Sequence, residues 1–383
     1  MINALAVAQV LGLVLLLLRL LPGRRRRPPV SPRLHIDGAE GAVSIVVATL
    51  DEAHRVGPCL DGLVEQGSVV REILVVDSGS TDGTAALVLA AAIRDPRIRL
   101  LRDDPLPDGW VGKVWALQHG LRHASGDWVL GIDADTIPHR GLAAGALAAA
   151  LELRYDAVSF APRFRIATTA ERWLQPALLV TLVYRFGATG LDPDPERVMA
   201  NGQCFLARRD VLNAAGGYIS ARASFCDDVT LARHLARSGR RVGFLDGSRL
   251  YDVRSYTSAL ETWREWGRSL DLKDASSRWR QWGDVLFLLV VQGTPIPALL
   301  SIAALRLAGD SAVALTPVLI LSAVLLAVRI LLQRALAPSY ERRGLAFWLS
   351  PTADPLAAFR ILLSTLRTPR SWRGRQYGAL TNA

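Results

Sequence analysis

Short apolar runs alternate with helical stretches over residues 43–250, and longer apolar runs lie before and after that region. Strands are predicted where β-branched residues cluster, at 44–49, 72–76 and 128–132. Helices are predicted around 57–66, 82–92 and 113–124. Strands that alternate with helices of this length favour βαβ units and a parallel sheet, so this part of the chain is expected to be an α/β domain.

The first long apolar run, residues 2–21, is long enough to cross about 30 Å of hydrocarbon as a helix. Four arginines, at positions 24–27, follow this run, whereas a cleaved signal peptide carries its positive charge before the apolar stretch. Because basic residues beside a span tend to stay in the cytoplasm, we expect an uncleaved anchor followed by a cytoplasmic domain.

Two further apolar runs, 285–305 and 312–332, are each long enough to span a membrane, and their short connection predicts a hairpin. A third run, 345–366, is interrupted by two prolines and an aspartate. If it crossed the membrane, the arginine-rich tail would lie outside the cytoplasm, against the positive-inside rule. We therefore predict an interfacial or re-entrant element, a cytoplasmic tail and a multi-pass protein of the cytoplasmic membrane.

Composition agrees with a chain that combines a folded domain and membrane segments. Of its 383 residues, 50% are hydrophobic and 21% are charged, and the mean hydropathy is +0.23. This balance is too apolar for an ordinary soluble enzyme and too polar for membrane helices alone. The expected parts are a transmembrane anchor (1–23), a basic, proline-rich linker (24–42), the α/β domain (43–275), C-terminal membrane segments (284–366) and a basic cytoplasmic tail (367–383).

The formal net charge of +10 raises the question of nucleic acid as a partner. The densest arginine clusters flank apolar segments, which is the arrangement expected for contacts with anionic lipid headgroups. Nucleic-acid binding is therefore not predicted. The three cysteines, Cys59, Cys204 and Cys226, lack C-x-x-C spacing, so free thiols are favoured over a disulfide framework or a zinc site.

An aspartate closely follows each of the three predicted strands: Asp51, Asp77 and Asp133. Ligands of parallel α/β sheets bind beyond the carboxyl ends of the strands, so these carboxylates are expected along one ligand-binding edge. Asp135 completes a D-x-D sequence with Asp133. Residues i and i+2 of an extended backbone share a face, so the two carboxylates could bind one Mg²⁺ or Mn²⁺. A turn that closes the strand is the alternative interpretation.

The residues around these aspartates form a series of motifs. S-I-V-V-A-T-L-D-E (44–52) comes first, V-V-D-S-G-S-T-D-G (75–83) second and G-W-V-G-K (109–113) third, before G-I-D-A-D (131–135). With these motifs the chain resembles the family 2 glycosyltransferases with the GT-A fold over roughly residues 43–270. The resemblance implies a Rossmann-like α/β domain for nucleotide-diphospho-sugar transfer, with N- and C-terminal transmembrane helices.

This resemblance also implies a binding site for a nucleotide-sugar donor. Asp51 and Asp77 match the family residues that hold the base and the ribose, and Thr49 lies beside them. Ionised carboxylates only accept hydrogen bonds, which suits the N–H of a base and the ribose hydroxyls. The expected donor is a UDP- or GDP-sugar. Lys113 is expected at the diphosphate, with a lysine on a solvated helix surface as the alternative.

The acids that carry the chemistry are also assigned by resemblance. Asp133 and Asp135 match the D-x-D that binds the donor and a divalent cation, Mg²⁺ or Mn²⁺. The stretch C-D-D-V-T-L-A (226–232) resembles the family's E-D-x-x-L motif, in which the second acid is the general base. This implies that Asp228, aided by Asp227, takes the proton of an acceptor hydroxyl. Helix initiation is the alternative, because aspartates favour helix N-termini.

The acceptor side is the least defined part of the resemblance. Residues 261–266 lie where processive members of the family carry Q-x-x-R-W, and only part of that pattern is present. Trp263, Arg264 and Trp266 are expected to line the acceptor side, or the two tryptophans anchor the domain at the membrane interface. The segment around 109–118 and the tail at 371–377 resemble the branch that glycosylates hopanoids and carotenoids, which implies a lipid acceptor.

The expected activity is an inverting, metal-dependent transfer of a sugar to a lipid or lipid-soluble acceptor at the cytoplasmic membrane face. A processive polysaccharide synthase of the same family is one alternative, and product length separates the two. A catalytically silent nucleotide-sugar-binding membrane protein is another. It would bind the donor without hydrolysing or transferring it.

Overall fold

Strands and helices alternate between residues 43 and 253 in the computed structural model, which describes residues 2–103, 105–254, 256–266, 270, 272–309, 315–367, 371–372 and 375–376. The strands are β1 (Val43–Thr49), β2 (Val70–Asp77), β3 (Ile98–Arg102), β4 (Trp128–Asp133), β5 (Thr136–Pro138), β6 (Ala157–Ala161), β7 (Arg163–Phe164), β8 (Cys204–Arg208), β9 (Val242–Asp246), β10 (Tyr251–Val253), β11 (Ser371–Trp372) and β12 (Arg375–Gln376). The α-helices are α1 (Ile2–Leu20), α2 (Val56–Val64), α3 (Thr84–Arg94), α4 (Gly112–His123), α5 (Leu142–Glu152), α6 (Thr169–Phe186), α7 (Arg209–Ala214), α8 (Asp227–Arg237), α9 (Ala259–Glu261), α10 (Arg278–Leu288), α11 (Pro295–Leu307), α12 (Thr316–Leu336), α13 (Gly344–Trp348) and α14 (Asp354–Leu366).

The chain divides into two units, which we call the sheet unit and the helical unit. The sheet unit comprises Arg27–Phe164, Thr189–Ser255 and Arg370–Ala383, and the helical unit comprises Met1–Arg26, Arg165–Ala188 and Tyr256–Pro369. Helix α6 and residues 256–275 thus group with the helical unit, although both fall inside the segment expected to be one α/β domain. The predicted tail is described only at residues 367, 371–372 and 375–376.

A seven-stranded sheet in the order β3-β2-β1-β4-β8-β6-β9 is the centre of the sheet unit. Strands β3, β2, β1 and β4 run parallel, and β8 is antiparallel to both β4 and β6. Six of the seven residues of β1 are buried, as expected for a parallel strand covered by helices on both faces. The three predicted strands and three predicted helices of this region are all present, within a few residues of the predicted bounds.

Helix α4 packs closely on the central strand of this sheet. A Cβ at Gly120 would stand only 2.3 Å from Cγ1 of Val46, so only glycine allows the helix backbone to approach β1 this closely. The first residues of α4 thereby lie beside the carboxyl ends of β1 and β4. The proline-rich segment before β1 is also in contact with this unit, because Val30 N–H donates to Asp246 O (2.8 Å) and Arg33 N–H donates to Gly141 O (3.1 Å).

A three-stranded sheet in the order β5-β10-β7 lies next to the D-x-D sequence. Its middle strand carries Asp252, whose side chain is 0% exposed. Arg163 donates to both carboxylate oxygens of Asp252, at 2.6 and 3.0 Å, and His139 Nε2 lies 3.4 Å from it. Burial would raise the pKa of Asp252, but the hydrogen bonds from His139 and Arg163 outweigh it and hold the pKa well below its usual value.

The helical unit contains two helices that are long and apolar enough to cross a membrane, within the described residues. They are Asn3–Arg25 and Thr316–Ser339. The run predicted to span as one helix at 285–305 is instead a bent pair, Arg278–Gly293 and Pro295–Leu307, with a 42° angle between its parts. Pro295 has no N–H to donate, and Thr294 N–H donates five residues back to Leu289 O (2.9 Å), so the α-helical pattern breaks at this point.

The run at 345–366 is divided as its prolines predict. It forms α13, a 3₁₀ turn (Ser350–Ala353) and α14, whose 13 residues extend about 20 Å. A buried ion pair joins this element to α12, with Arg329 Nε donating to Asp354 Oδ2 at 2.8 Å. Gln333, also on α12, donates to Phe347 O (2.9 Å), a carbonyl at the end of α13. Polar groups where the helix is interrupted between α13 and α14 thus have hydrogen-bond partners on a neighbouring helix, as an apolar environment requires.

The buried charge on β10 allows a stability prediction. Asp252→Asn leaves Arg163 and His139 facing a neutral amide and should lower the free energy of unfolding by about 3 kcal/mol. Asp252 also raises the pKa of His139, first through their hydrogen bond, so stabilisation by this pair is complete below about pH 6.5 and is lost as pH rises through the raised pKa. Thermal unfolding of detergent-solubilised protein at about pH 6 and pH 8.5 measures both effects.

The matched control for this prediction is Asp61→Asn. Asp61 also pairs with an arginine, Arg94, at 2.9 Å, but both side chains are more than half exposed. An exposed pair contributes about 1 kcal/mol or less. Equal losses for the two variants, or a loss in Asp252→Asn that does not shrink with rising pH, would contradict the prediction.

Candidate active site

The carboxyl ends of β1 and β2 and the loops that follow them form the first part of the site. Thr49 Oγ1 donates to Val76 O at 3.2 Å and lies 3.4 Å from Asp77 Oδ1. Ser80 N–H donates to Asp77 Oδ2 (3.2 Å), so the loop after β2 folds back over its own strand end. The structure thus brings the predicted residues Thr49 and Asp77 together at one edge of the sheet.

Asp51 lies in the loop after β1 with a positive φ of 53°, a conformation that aspartate adopts more readily than most residues other than glycine. Its Oδ1 accepts from Thr81 N–H at 2.8 Å, and its own N–H donates to Ser80 Oγ at 2.9 Å. Two loops from neighbouring strands are therefore joined by hydrogen bonds on both sides of Asp51. This places the third predicted donor-binding residue against the same serine that lies over Asp77.

The second part of the site is an ion pair between α4 and β4. Lys113 Nζ lies 2.7 and 2.9 Å from the two carboxylate oxygens of Asp133, the last residue of β4. The Lys113 side chain is only 18% exposed, so the interpretation of this lysine as a solvated surface residue is wrong. Asp135 is buried in the turn between β4 and β5 and does not continue an extended strand, so its geometry is that of the turn alternative.

The third part is the pair of aspartates at the start of α8. This helix begins at Asp227, so the two aspartates do initiate a helix, as the alternative interpretation has it. Asp228 Oδ2 accepts from Gly202 N–H at 2.7 Å and Oδ1 accepts from Val229 N–H at 2.8 Å. Burial and then the neighbouring Asp227 raise the pKa of Asp228 to about 7, and burial likewise raises the pKa of Asp227.

Lys113 links the second and third parts electrostatically. Burial would lower its pKa, but Asp133, then Asp227, and also Asp228 outweigh burial and raise it. The lysine is therefore charged and stands among three carboxylates from two elements of the sheet unit. A cation in this position offsets the repulsion between the strand-end aspartate and the aspartate pair, so that all three can lie at one site.

Two residues that sequence reasoning missed contribute to the site. Gly202 lies between Lys113 and Asp228, since a Cβ there would stand 3.1 Å from Lys113 Nζ and 3.5 Å from Asp228 Cβ. Asp103 follows β3 and accepts from Ser78 Oγ at 2.9 Å. The repeated occurrence of an aspartate after each strand could have revealed Asp103, had β3 been recognised as a strand. No comparable sequence signal marks Gly202.

The tentative acceptor-side residues lie in the helical unit. Trp263, Arg264 and Trp266 belong to a π-helical turn, Thr262–Trp266. Arg360, on α14, donates to Trp263 O at 2.8 Å, and its guanidinium lies 5.5 Å from the centroid of the Trp263 ring. Trp263 is thus held within its own unit by a backbone hydrogen bond and a cation–π contact.

The donor set fits a divalent cation only with help from a substrate. Among the described residues, no group of three or more His, Cys, Asp or Glu side chains could hold a metal ion. Asp133 and Asp135 supply hard carboxylate oxygens, which suit Mg²⁺ or Mn²⁺. Both ions commonly take their remaining ligands from substrate phosphates and water, so two carboxylates at a sheet edge fit a substrate-completed site.

Comparison with known proteins shows what this region is similar to. Residues 44–216 match the family model described as "Glycosyl transferase family 2". The dolichyl-phosphate beta-glucosyltransferase of Trichomonas vaginalis is 36% identical over 105 residues, which are 25% of this chain and 30% of that protein. The 4,4'-diaponeurosporenoate glycosyltransferase of Staphylococcus aureus is 26% identical over 235 residues, 60% of each chain. The match therefore covers less than two thirds of either relative.

One solved structure is similar over almost the whole chain. This is the mannosyltransferase PcManGT from Pyrobaculum calidifontis in complex with GDP-Man and Mn²⁺. The likeness covers 96% of this chain and 99% of that one, with a TM-score of 0.57 and 20% sequence identity. At this identity the likeness shows the fold, and the fold predicted by resemblance is confirmed.

The ionic arrangement of the site allows a second prediction. Lys113→Met removes the cation that stands among three carboxylates and should destabilise the protein by about 3 kcal/mol at pH 8. Near pH 5 the loss should be smaller, because protonation of the Asp227–Asp228 pair, whose pKa values are raised, relieves the repulsion. Thermal unfolding at the two pH values measures the difference.

Arg94→Met is the control, because it removes only the exposed pair with Asp61. The expected change is below about 1 kcal/mol at either pH. A Lys113→Met protein that loses the same stability at pH 5 as at pH 8 would argue against a shared cation.

Proposed function

We propose that residues 44–216, which match the family model "Glycosyl transferase family 2", form a glycosyltransferase domain, and that the chain transfers one sugar from a nucleotide-sugar donor to a lipid acceptor with inversion at the anomeric carbon. One observation carries the proposal. Lys113 contacts Asp133 at the carboxyl edge of the sheet, and the aspartate pair at the start of α8 helps to raise its pKa. A donor site and a base are thereby expected within one unit.

The donor is held by the loops after β1 and β2. Asp51 and Asp77 accept hydrogen bonds from the base and the ribose of a UDP- or GDP-sugar, and Thr49 supports Asp77. In the free protein the carboxylates of both aspartates are occupied by N–H or hydroxyl groups of residues 80 and 81. These loop groups would yield when the nucleoside binds, which is a local change within two short loops.

Lys113 supplies positive charge for the departing diphosphate, and the D-x-D pair would supply more by holding a divalent cation. Asp133 and Asp135 would hold Mg²⁺ or Mn²⁺, which supplies Lewis-acid stabilisation of the leaving diphosphate when bound. Lys113 Nζ lies 2.7 Å from Asp133, so its ammonium group stands beside the carboxylate that would hold the cation and is available to the phosphate oxygens of a donor bound there. The lysine therefore acts as a donor-binding residue.

Asp228, aided by Asp227, is the general base. The acceptor oxygen attacks the anomeric carbon while the bond to the diphosphate breaks, so the bonding electrons leave with the diphosphate and the hydroxyl proton passes to Asp228. A carboxylate whose pKa is raised to about 7 is a stronger base than an ordinary aspartate and is still ionised in a useful fraction near neutral pH. For an acceptor that is itself a carboxylate, Asp228 only orients it.

A lipid acceptor at a membrane is supported by the helical unit and by the named relatives. Two helices of that unit are long and apolar enough to cross a membrane. The two relatives are named for dolichyl phosphate and for 4,4'-diaponeurosporenoate, both lipid-soluble compounds. We propose a multi-pass protein of the cytoplasmic membrane with its sheet unit in the cytoplasm. Trp263, Arg264 and Trp266 are then candidates for contact with the acceptor.

The first experiment offers detergent-solubilised protein a panel of UDP- and GDP-sugars with Mg²⁺ or Mn²⁺ and a total membrane-lipid extract. We expect one lipid to gain a single sugar, and excess chelator to reduce the rate at least about tenfold, read by mass spectrometry. A ladder of sugar additions would instead identify a processive synthase. Donor binding without hydrolysis or transfer would identify a silent binding protein, and full activity in chelator would exclude the metal role of Asp133 and Asp135.

The base assignment makes a third prediction, about rate and pH. Asp228→Asn should lower kcat about 100-fold or more, because the amide cannot accept the acceptor proton. In the wild-type protein the rate should rise with pH through about 7, as Asp228 becomes ionised, and this acidic limb should be absent in the variant. Initial rates from about pH 5.5 to 8.5 measure both effects.

Asp210→Asn serves as the control, because Asp210 is an exposed aspartate paired with Arg208 at 2.6 Å. It should retain both the wild-type rate and the wild-type pH profile. The base assignment fails if Asp228→Asn keeps most of its transfer rate.

A further inference from the structure

Residues 198–203 lead directly into β8, and hydrogen bonds join both ends of this segment to α8. At one end Arg233 Nε donates to Val198 O at 3.0 Å. At the other end Gly202 N–H donates to Asp228 Oδ2 at 2.7 Å. Arg233 and Asp228 stand five residues apart on the same helix, so this helix holds the segment by two hydrogen bonds, one of them at the proposed base.

The middle of this segment is fixed from the sheet. Ser159 Oγ, on β6, accepts from Asn201 N–H at 2.6 Å and donates to Asn201 O at 2.9 Å. Asn201 and Gln203 are also joined by two hydrogen bonds of about the same length, at 2.9 and 3.0 Å. The position of the Gly202 N–H is therefore determined by β6 on one side and by α8 on the other.

Arg233 is an unexpected residue in this place. It is 1% exposed, although arginine is among the residues least often fully buried. Burying a guanidinium is costly unless its donors reach acceptors in a suitable geometry, and Arg233 Nε reaches the carbonyl of Val198. Here the carbonyl belongs to the segment whose N–H group contacts Asp228.

We propose that Arg233 is a positioning residue for Asp228, acting through the Val198 carbonyl and the segment 198–203 to hold the Gly202 N–H against the carboxylate. The proposal rests on the function proposed above. A hydrogen bond donated to a carboxylate favours its ionised form and fixes which oxygen is directed away from the donor. Asp228 is faced by Asp227 on its own helix, by Lys113 on α4 and by the N–H groups of Val229 and Gly202. Lys113 and these two backbone donors favour the ionised carboxylate, whereas burial and Asp227 oppose it.

Arg233→Met tests this role. Loss of the anchor should lower kcat roughly ten- to hundredfold with little change in the KM for the donor, because the base is displaced and the donor site is not. The acidic limb of the rate–pH profile should also move upward by about one pH unit, because the carboxylate loses a donor that favours its ionised form. Arg233→Lys, which keeps a long cationic donor, should recover part of both effects.

Arg237→Met is the matched control on the same helix. Arg237 is about half exposed and pairs with Glu196 at 2.5 Å, joining α8 to the residues just before the segment, but from the solvent side. It should leave kcat and the pH profile unchanged. If Arg233→Met does not fold, Ser159→Ala replaces it, since it loosens the same segment from the β6 side and should shift the limb in the same direction by a smaller amount.

The outcomes separate the two proposals. An inactive wild-type protein overturns the proposed function. If the wild type is active and Asp228→Asn is inactive, but Arg233→Met keeps the wild-type kcat and acidic limb, the function stands and the positioning role is wrong. The positioning role is also overturned if Arg233→Met loses activity only in proportion to its loss of folded protein, and the acidic limb of its rate–pH profile does not move. A displaced limb in both Arg233→Met and Ser159→Ala, with Arg237→Met unchanged, supports it.

Discussion

The attraction between Lys113 and the carboxylates around it is the interaction on which the site depends. Asp133 ends a strand and the aspartate pair begins a helix, so the fold brings like charges toward each other in a partly buried place. Without a cation such a grouping would either take up protons or move apart. With Lys113 present, the carboxylates stay close while Asp228 keeps a pKa near neutrality, which suits both a donor site and a base.

Much of the sheet could be predicted because its parallel strands are buried on both faces and therefore appear as unbroken β-branched runs. β3 was missed because Arg99 and Arg102 interrupt its apolar pattern. The small sheet was missed because strands of two or three residues, such as Arg163–Phe164, form through pairing with distant segments and leave no periodicity of their own. In the helical unit, the length of each apolar run could be read from the sequence. The bend near Pro295 could not, because it depends on which carbonyl accepts the Thr294 N–H.

The candidate site was predictable where residue type and strand position were enough. Asp51, Asp77 and Asp133 were predicted from their places just after three strands, and Thr49 from the family resemblance. The structure brings all four to the expected edge. For Asp135 the sequence left an extended backbone and a turn open, and the residue lies in a turn, because β5 starts one residue later and pairs with β10. Gly202 could not be foreseen, since its importance comes from neighbours almost 90 residues before it and 26 residues after it.

The contact between Gly120 and Val46 has a consequence for how this protein can change over evolution or in the laboratory. Helix α4 rests on β1 with no space for a side chain at position 120, and it carries Lys113 about two turns away. Lys113 thus belongs to a closely packed helix of the domain, whereas Asp51 and Ser80 lie in loops. New donor preferences should therefore arise by replacement of those loops, with the α4–β1 pair kept as an invariant frame.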